Sequence, residues 1–171
     1  MKNITIRAEK NTDKEAIWEV NREAFGGEDE ANLVDTLRDS GCVYISLVAE
    51  LDNQIVGHIL YTPVTLSENK SSLKLIGLAP MSVLSQYQKQ GIGSQLVKAG
   101  LERCKDLNYD AVVVLGHPTY YPKFGFIPAK KYGIQSEYEV PDEAFMILEL
   151  VPGSLEGQHG TISYHEAFNN V

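Results

Sequence analysis

The sequence predicts an α/β fold built on a mixed sheet, and three observations carry that expectation. Two β-rich runs flank a turn at Asp52-Asn53, as in an antiparallel hairpin. Helical periodicity recurs after Thr12, after Glu28 and after Gly91. Ala111 to Leu115 is an unbroken apolar run, which suits a strand buried on both faces. The predicted order is strand, two helices, three strands, helix, strand, short helix and further strands.

Each element has its own signal. Ile4 and Ile6 alternate with polar residues, as in a short strand. Thr12 to Glu15 reads T-x-x-E, a capping box that would satisfy two amide donors at a helix start. Ala16, Ile17, Val20 and Ala24 then share one helical face, and Gly26-Gly27 breaks the helix. A second helix is expected from Glu28 to Asp39, with Ala31, Val34 and Leu37 inward and Gly41 as its stop. Strands follow at Val43 to Glu50 and Gln54 to Thr65, where Pro63 implies a bend or an edge. Ser67 to Ser72 is a polar loop, and Leu73 to Leu78 is strand-like. Gly91 opens a long helix that carries Leu96, Val97, Gly100, Leu101 and Cys104 on one side and ends at Asn108. Pro118 to Phe124 suits one or two helical turns, and Phe145 to Leu150 a late strand. One domain over residues 1–152 is expected. Residues 153–171 form a tail, packed on or extending that domain, with an apolar anchor at Ile162, Tyr164 and Phe168.

Composition narrows the function. The chain has 171 residues, 43% hydrophobic and 22% charged, which is ordinary globular usage. A net charge of −8 argues against a broad nucleic-acid surface, where affinity depends on neutralising phosphates. It suits cationic partners such as amines. Cys42 and Cys104 form no C-x-x-C and match no zinc spacing, so two reduced thiols and no metal are expected. There is no apolar stretch long enough to span a membrane and no visible signal peptide, which implies a cytoplasmic protein.

The segment Gln88-Lys89-Gln90-Gly91-Ile92-Gly93-Ser94 lies between a strand and a helix. Its two glycines allow a tight turn and a close backbone approach to a ligand. Amides at a helix start lack internal acceptors and favour an anion. Ser94 adds a hydroxyl, and Lys89 and Lys98 add positive charge. This is the pattern of a phosphate-binding turn. It is not a P-loop, since G-x-x-x-x-G-K-[ST] is absent, nor a dinucleotide fingerprint, since Leu96 occupies the third glycine position.

The pattern Gln-x-x-Gly-x-Gly resembles the coenzyme A pyrophosphate loop of the Gcn5-related N-acetyltransferases, the GNAT family. Leu78-Ala79-Pro80-Met81-Ser82-Val83 resembles that family's central strand end, particularly in its YhbS-like subgroup. Tyr120-Tyr121-Pro122-Lys123-Phe124-Gly125-Phe126 resembles its Tyr-x-x-x-Gly-Phe element. The resemblance implies a central, mostly antiparallel sheet, splayed at the cofactor site and flanked by helices. It also implies acetyl-CoA as co-substrate and acetyl transfer to a primary amine of a small molecule or peptide. Met81, Ser82 and Val83 would meet the pantetheine arm like an added strand, and Gln88 to Ser94 would cradle the pyrophosphate. Tyr121 would face the thioester sulfur, and His117, where many members carry an asparagine, would contact the cofactor.

Acetyl transfer needs an amine without its proton, a stabilised oxyanion and a leaving thiolate. The Val83 amide is the expected oxyanion donor, and Tyr121 is placed to protonate or hydrogen-bond the sulfur. Many members place a glutamate on the central strand, but Leu73 to Leu78 contains no carboxylate. His58 on the adjacent strand is the candidate base, with a buried structural role as the other reading. Glu23, Glu28, Asp29 and Glu30 around Gly26-Gly27 offer charge for a cationic acceptor, or a solvated helix start. A second expectation for the whole chain is an acyl-CoA sensor without turnover. The tail from Gly153 offers a surface for a homodimer.

Overall fold

A computed structural model describes residues 3–69 and 72–170. Residues 70 and 71 of the expected polar loop, and the last residue of the tail, lie outside that range. The strands are β1 (Thr5–Ala8), β2 (Ile45–Leu51), β3 (Gln54–Leu66), β4 (Leu75–Val83), β5 (Ala111–Leu115), β6 (Ile127–Pro128), β7 (Ile134–Ser136), β8 (Phe145–Glu149) and β9 (Gly160–Ser163). The helices are α1 (Lys14–Phe25), α2 (Asp29–Asp39) and α3 (Ile92–Asp106). The fold is the expected mixed α/β class. Pairs β1/β2, β2/β3, β3/β9, β5/β8 and β6/β8 are antiparallel, while β4/β5 and β7/β9 are parallel.

Two compact units are formed, and β3, β4 and α3 contribute to both. Among the described residues, the first holds 3–61, 80–102 and 166–170. Here β1, β2 and β3 pair in sequence, and β3 alternates its residues between two faces. On one face Val48 and Leu60 join Ile17 and Val20 of α1 and Leu33, Val34 and Leu37 of α2 in a buried cluster. Ala167 and Phe168 of the C-terminal segment pack on that cluster. On the other face α3 lies close. A Cβ added at Gly57 would sit 3.1 Å from Leu96, and one at Gly100 would sit 2.2 Å from the Tyr61 ring. The Tyr61 hydroxyl donates to the Val97 carbonyl at 3.2 Å, so ring and helix are interlocked.

Among the described residues, the second unit holds 62–69, 72–79 and 103–165. Leu75 to Leu78 of β4 pair with Ala111 to Val114 of β5, and β8 joins the far side of β5. Val64, Leu66, Leu75, Ala111, Val113, Phe145 and Ile147 form its core with Ile134, Leu155 and Ile162. Ile162 comes from β9, whose neighbours Leu66 and Ser136 lie on β3 and β7.

Several local expectations are corrected. The T-x-x-E cap is not made. A 3-10 turn at Asn11–Asp13 precedes α1, and the Asp13 carboxylate accepts the Lys10 amide at 2.7 Å. The same carboxylate takes two hydrogen bonds from the Arg7 guanidinium, and the charged acceptor displaces Thr12 from the capping role. Pro63 agrees with the edge reading: the β2 ladder stops at Tyr61 and the β9 ladder starts at Thr65, so the proline falls in a gap between partners. Strand β4 begins at Leu75 and runs on to Val83, past the expected end at Leu78.

Candidate active site

The strand end, turn and helix start expected to hold the cofactor are continuous in the first unit. β5 is in register with β4 only from Leu75 to Leu78, while β4 continues to Val83. Just beyond β4 the Leu84 amide donates to the Val56 carbonyl of β3 at 2.9 Å. Successive amides of a strand point to opposite edges. The Met81 and Val83 amides therefore point away from β3, along the edge that β5 has left. Met81 is half-buried, and Ser82 and Val83 are buried. The Ser82 hydroxyl is buried with no hydrogen-bond partner among the described residues.

A 3-10 turn at Ser85–Tyr87 leads into the loop. The Gln88 side chain folds back and donates to the Val83 carbonyl at 2.9 Å, which ties the loop to the strand end. Lys89 and Gly91 are both left-handed, at φ +64° and +83°. Glycine takes that geometry without strain, and a lysine there holds the backbone in an uncommon turn. Gln88, Lys89, Gln90 and Gly91 are all exposed. The first intrahelical bond of α3 runs from the Gln95 amide to the Gly91 carbonyl at 3.1 Å. The amides of Ile92 and Gly93 precede it, at the positive end of the helix, where Ser94 also lies.

Glu23 has a role that composition did not show. Its carboxylate accepts the Ser85 amide at 3.1 Å and the Ser85 hydroxyl at 2.7 Å. These two bonds hold it below the ordinary glutamate range. It clamps α1 to the entry of the loop while remaining exposed and ionised.

His58 lies in the same unit but in a closed setting. It is fully buried. Asn21 of α1 donates from Nδ2 to His58 Nδ1 at 3.2 Å, and His58 Nε2 donates to Ser46 Oγ at 2.9 Å. Ser46 in turn donates to Glu9 Oε1 at 2.6 Å, which fixes the direction of the chain of bonds. Arg38 of α2 closes it with a two-pronged bond to Glu9 at 3.1 and 2.9 Å. Burial pushes the imidazole down to about 4, although Glu9 pulls the other way. Burial also works to raise the Glu9 carboxyl, but Arg38 and Ser46 overcome it and hold the group below the ordinary range. Both ring nitrogens of His58 are thus engaged, and the ring has no contact with solvent. Sequence reasoning missed this network, because Glu9, Asn21, Arg38 and Ser46 are scattered along the chain and carry no motif.

Tyr121 and His117 belong to the second unit. The chain leaves β5 at Leu115, and the Gly116 amide donates to the Ala144 carbonyl at 2.9 Å. The His117 carbonyl accepts the amides of Tyr120 at 3.1 Å and Tyr121 at 3.4 Å, and the His117 side chain is exposed. A 3-10 turn over Tyr121–Phe124 ends at Gly125, which is left-handed at φ +104°. The Tyr121 ring is buried and meets Tyr120 and Phe126 edge-on at 5.1 and 5.7 Å between centroids. Burial raises its phenol to about 12. No helix among the described residues is long and apolar enough to cross a membrane, and no cluster of metal-ligating side chains occurs among them.

Comparison with known proteins places this architecture. Residues 5–129 match the family described as the acetyltransferase (GNAT) domain. The chain is 35% identical over 167 residues to Escherichia coli K12 YhbS, an N-acetyltransferase named as uncharacterized, covering 97% of this chain and 99% of YhbS. The crystal structure of E. coli YhbS in complex with CoA superposes with a TM-score of 0.93 at 34% identity, over 99% of this chain and 93% of that one. A GNAT acetyltransferase from Brucella melitensis in complex with acetyl-CoA gives 0.79 at 32% identity, over 97% of this chain and 98% of that one. With nearly the whole length shared with YhbS, and the strand end, turn and helix start continuous, this chain belongs to the GNAT family of N-acetyltransferases.

Proposed function

We propose that the enzyme takes its acetyl group from acetyl-CoA and passes it directly to a primary amine of a small molecule or peptide in a ternary complex. The observation that carries this is the run from Met81 to Ser94: an unpaired strand edge, a left-handed turn and a helix start in unbroken succession. The residues suit the ligand. Met81 and Val83 offer amides along a free edge for an extended amide-containing arm, and Ser82 lies between them. Gln88 to Ser94 offer amides, Lys89 and the positive end of α3 to a pyrophosphate. No heavy atom lies within 4 Å of where a Gly91 Cβ would stand, so that side of the turn is open to a ligand. The solved relatives that hold CoA and acetyl-CoA support the same reading.

In the reaction the amine nitrogen attacks the thioester carbonyl carbon, the C–N bond forms and the C–S bond breaks. The Val83 amide donates to the carbonyl oxygen as charge develops there. Tyr121 serves the departing sulfur, and His117 meets the cofactor beside it. A thiol titrates near 8.5, well below the Tyr121 phenol at about 12. Tyr121 therefore gives a hydrogen bond that strengthens as the thiolate forms, without surrendering its proton. The amine proton departs through water. His58, buried with both ring nitrogens bonded, holds α1 against the sheet and is not assigned the base.

The test has two stages. CoA or acetyl-CoA at about 100 times Kd stabilises the fold by about 2.7 kcal/mol, which raises Tm by roughly 5–10 °C. Absence of any shift at saturating cofactor overturns the reading. Thiol release from acetyl-CoA with polyamines, amino acids, aminoglycosides and peptides then finds the acceptor class. A cofactor-dependent shift with no release above the hydrolytic rate points instead to a sensor.

A further inference from the structure

We propose that Gly116 is a positioning residue for Tyr121: the absence of a side chain at this strand exit seats the phenol that serves the sulfur. This deepens the function above and rests on its assignment of Tyr121. A Cβ at position 116 would lie 2.4 Å from Tyr121 Cε2, 3.0 Å from Cδ2 and 3.4 Å from Cζ. Real Cβ contacts do not approach 2.4 Å, so the ring or the backbone has to move. The backbone is held, because the Gly116 amide is bonded to Ala144. The turn that carries the ring is held as well, through the His117 carbonyl and the left-handed Gly125. The ring cannot recoil freely either. Tyr120 and Phe126 stand edge-on to it, and Phe124 lies 6.4 Å away between centroids. The glycine is not there for its backbone freedom, since its φ lies outside the left-handed range that Gly125 occupies. It is there for the space.

A shift of even 1 Å at a group that acts only as charge develops costs turnover more than binding. Gly116→Ala should therefore lower kcat for thiol release from acetyl-CoA by 10-fold or more, with the KM for acetyl-CoA changed less than about 3-fold. Release is read with the fastest amine of the panel and with water as acceptor, since both expel the same sulfur. The decisive readout is a double-mutant cycle with Tyr121→Phe. If Gly116 acts through the hydroxyl, Gly116→Ala costs little further turnover once that hydroxyl is gone. A full, multiplicative loss in the double variant overturns the proposal, and so does wild-type kcat in Gly116→Ala. If Tyr121→Phe alone keeps wild-type kcat, the role of Tyr121 fails and this inference fails with it. A normal Gly116→Ala beside an impaired Tyr121→Phe sinks this inference alone. Should Gly116→Ala fold poorly, it should cost little further Tm in a chain that already carries Tyr121→Ala, where the ring is gone. A full additional loss of Tm in that background overturns the steric argument.

Discussion

Acidification should weaken the fold through His58 before the low-lying carboxylates of Glu9 and Asp13 titrate. In the unfolded chain a histidine binds its proton near pH 6.5, whereas burial lowers His58 to about 4 in the native state. The native state thus refuses a proton that the unfolded state accepts. The stabilisation is complete above about pH 7 and is lost as pH falls from 6.5 towards 4. Linkage gives a loss of about 2 kcal/mol by pH 5 and about 3 kcal/mol across the window. With a urea slope near 2 kcal/mol per M, the unfolding midpoint should drop by about 1 M between pH 7 and pH 5. Glu9 and Asp13, both held below their ordinary ranges, lose their contributions only at lower pH. The comparison is His58→Gln, whose amide can donate to Ser46 and accept from Asn21 without titrating. That variant starts from a different stability, but its midpoint should fall much less over the same interval. Equal pH slopes for the two proteins would refute the reasoning.

Other outcomes follow from the same geometry. Glu9→Gln leaves the buried Arg38 guanidinium with only the half-exposed Asp35 as charged partner and should destabilise by about 1.5–3 kcal/mol, read as a urea midpoint at pH 7. Gly91→Ala meets no steric obstacle but forces a Cβ into a left-handed backbone, which costs about 1–2 kcal/mol. Calorimetry should show weaker CoA binding in that variant, and unchanged affinity would remove the turn from the cofactor site. Tyr121→Phe removes a hydrogen bond to a developing charge worth about 1.5–3 kcal/mol, or roughly 10- to 150-fold in kcat, with little change in the KM for acetyl-CoA. Wild-type activity should persist to pH 10 without loss from phenol ionisation, since that group titrates near 12.

The sequence was most legible where periodicity was long or chemistry was local. Helices α2 and α3 and strand β5 sit within a residue or two of their expected limits, because caps, glycines and apolar runs mark them. The strands β6, β7 and β9 were not legible. Each is short, and each is defined by a neighbour distant in the chain, as Ile162 is by Leu66. The turn and helix start over Gln88 to Ser94 were readable because glycine spacing and helical periodicity are adjacent in sequence. The buried chain from Asn21 to Glu9 was not, because its members meet only after β1, β2, β3, α1 and α2 have assembled. His58 shows the difference. Its residue type suited a proton acceptor, but only the packing reveals that both ring nitrogens are already engaged.

Gly100 lies in the body of α3, where alanine scores better by roughly 1 kcal/mol in isolated helices. A stabilisation campaign guided by helix propensity would choose it early. Here the replacement would drive a methyl group into Tyr61. The displaced ring would loosen its grip on the Val97 carbonyl, little more than a turn from the start of α3. The position therefore resists improvement by single steps: alanine becomes tolerable only after Tyr61 has given way to something smaller. Homologues that carry a side chain at 100 should carry a reduced one at 61, a paired exchange that any alignment of close relatives can reveal.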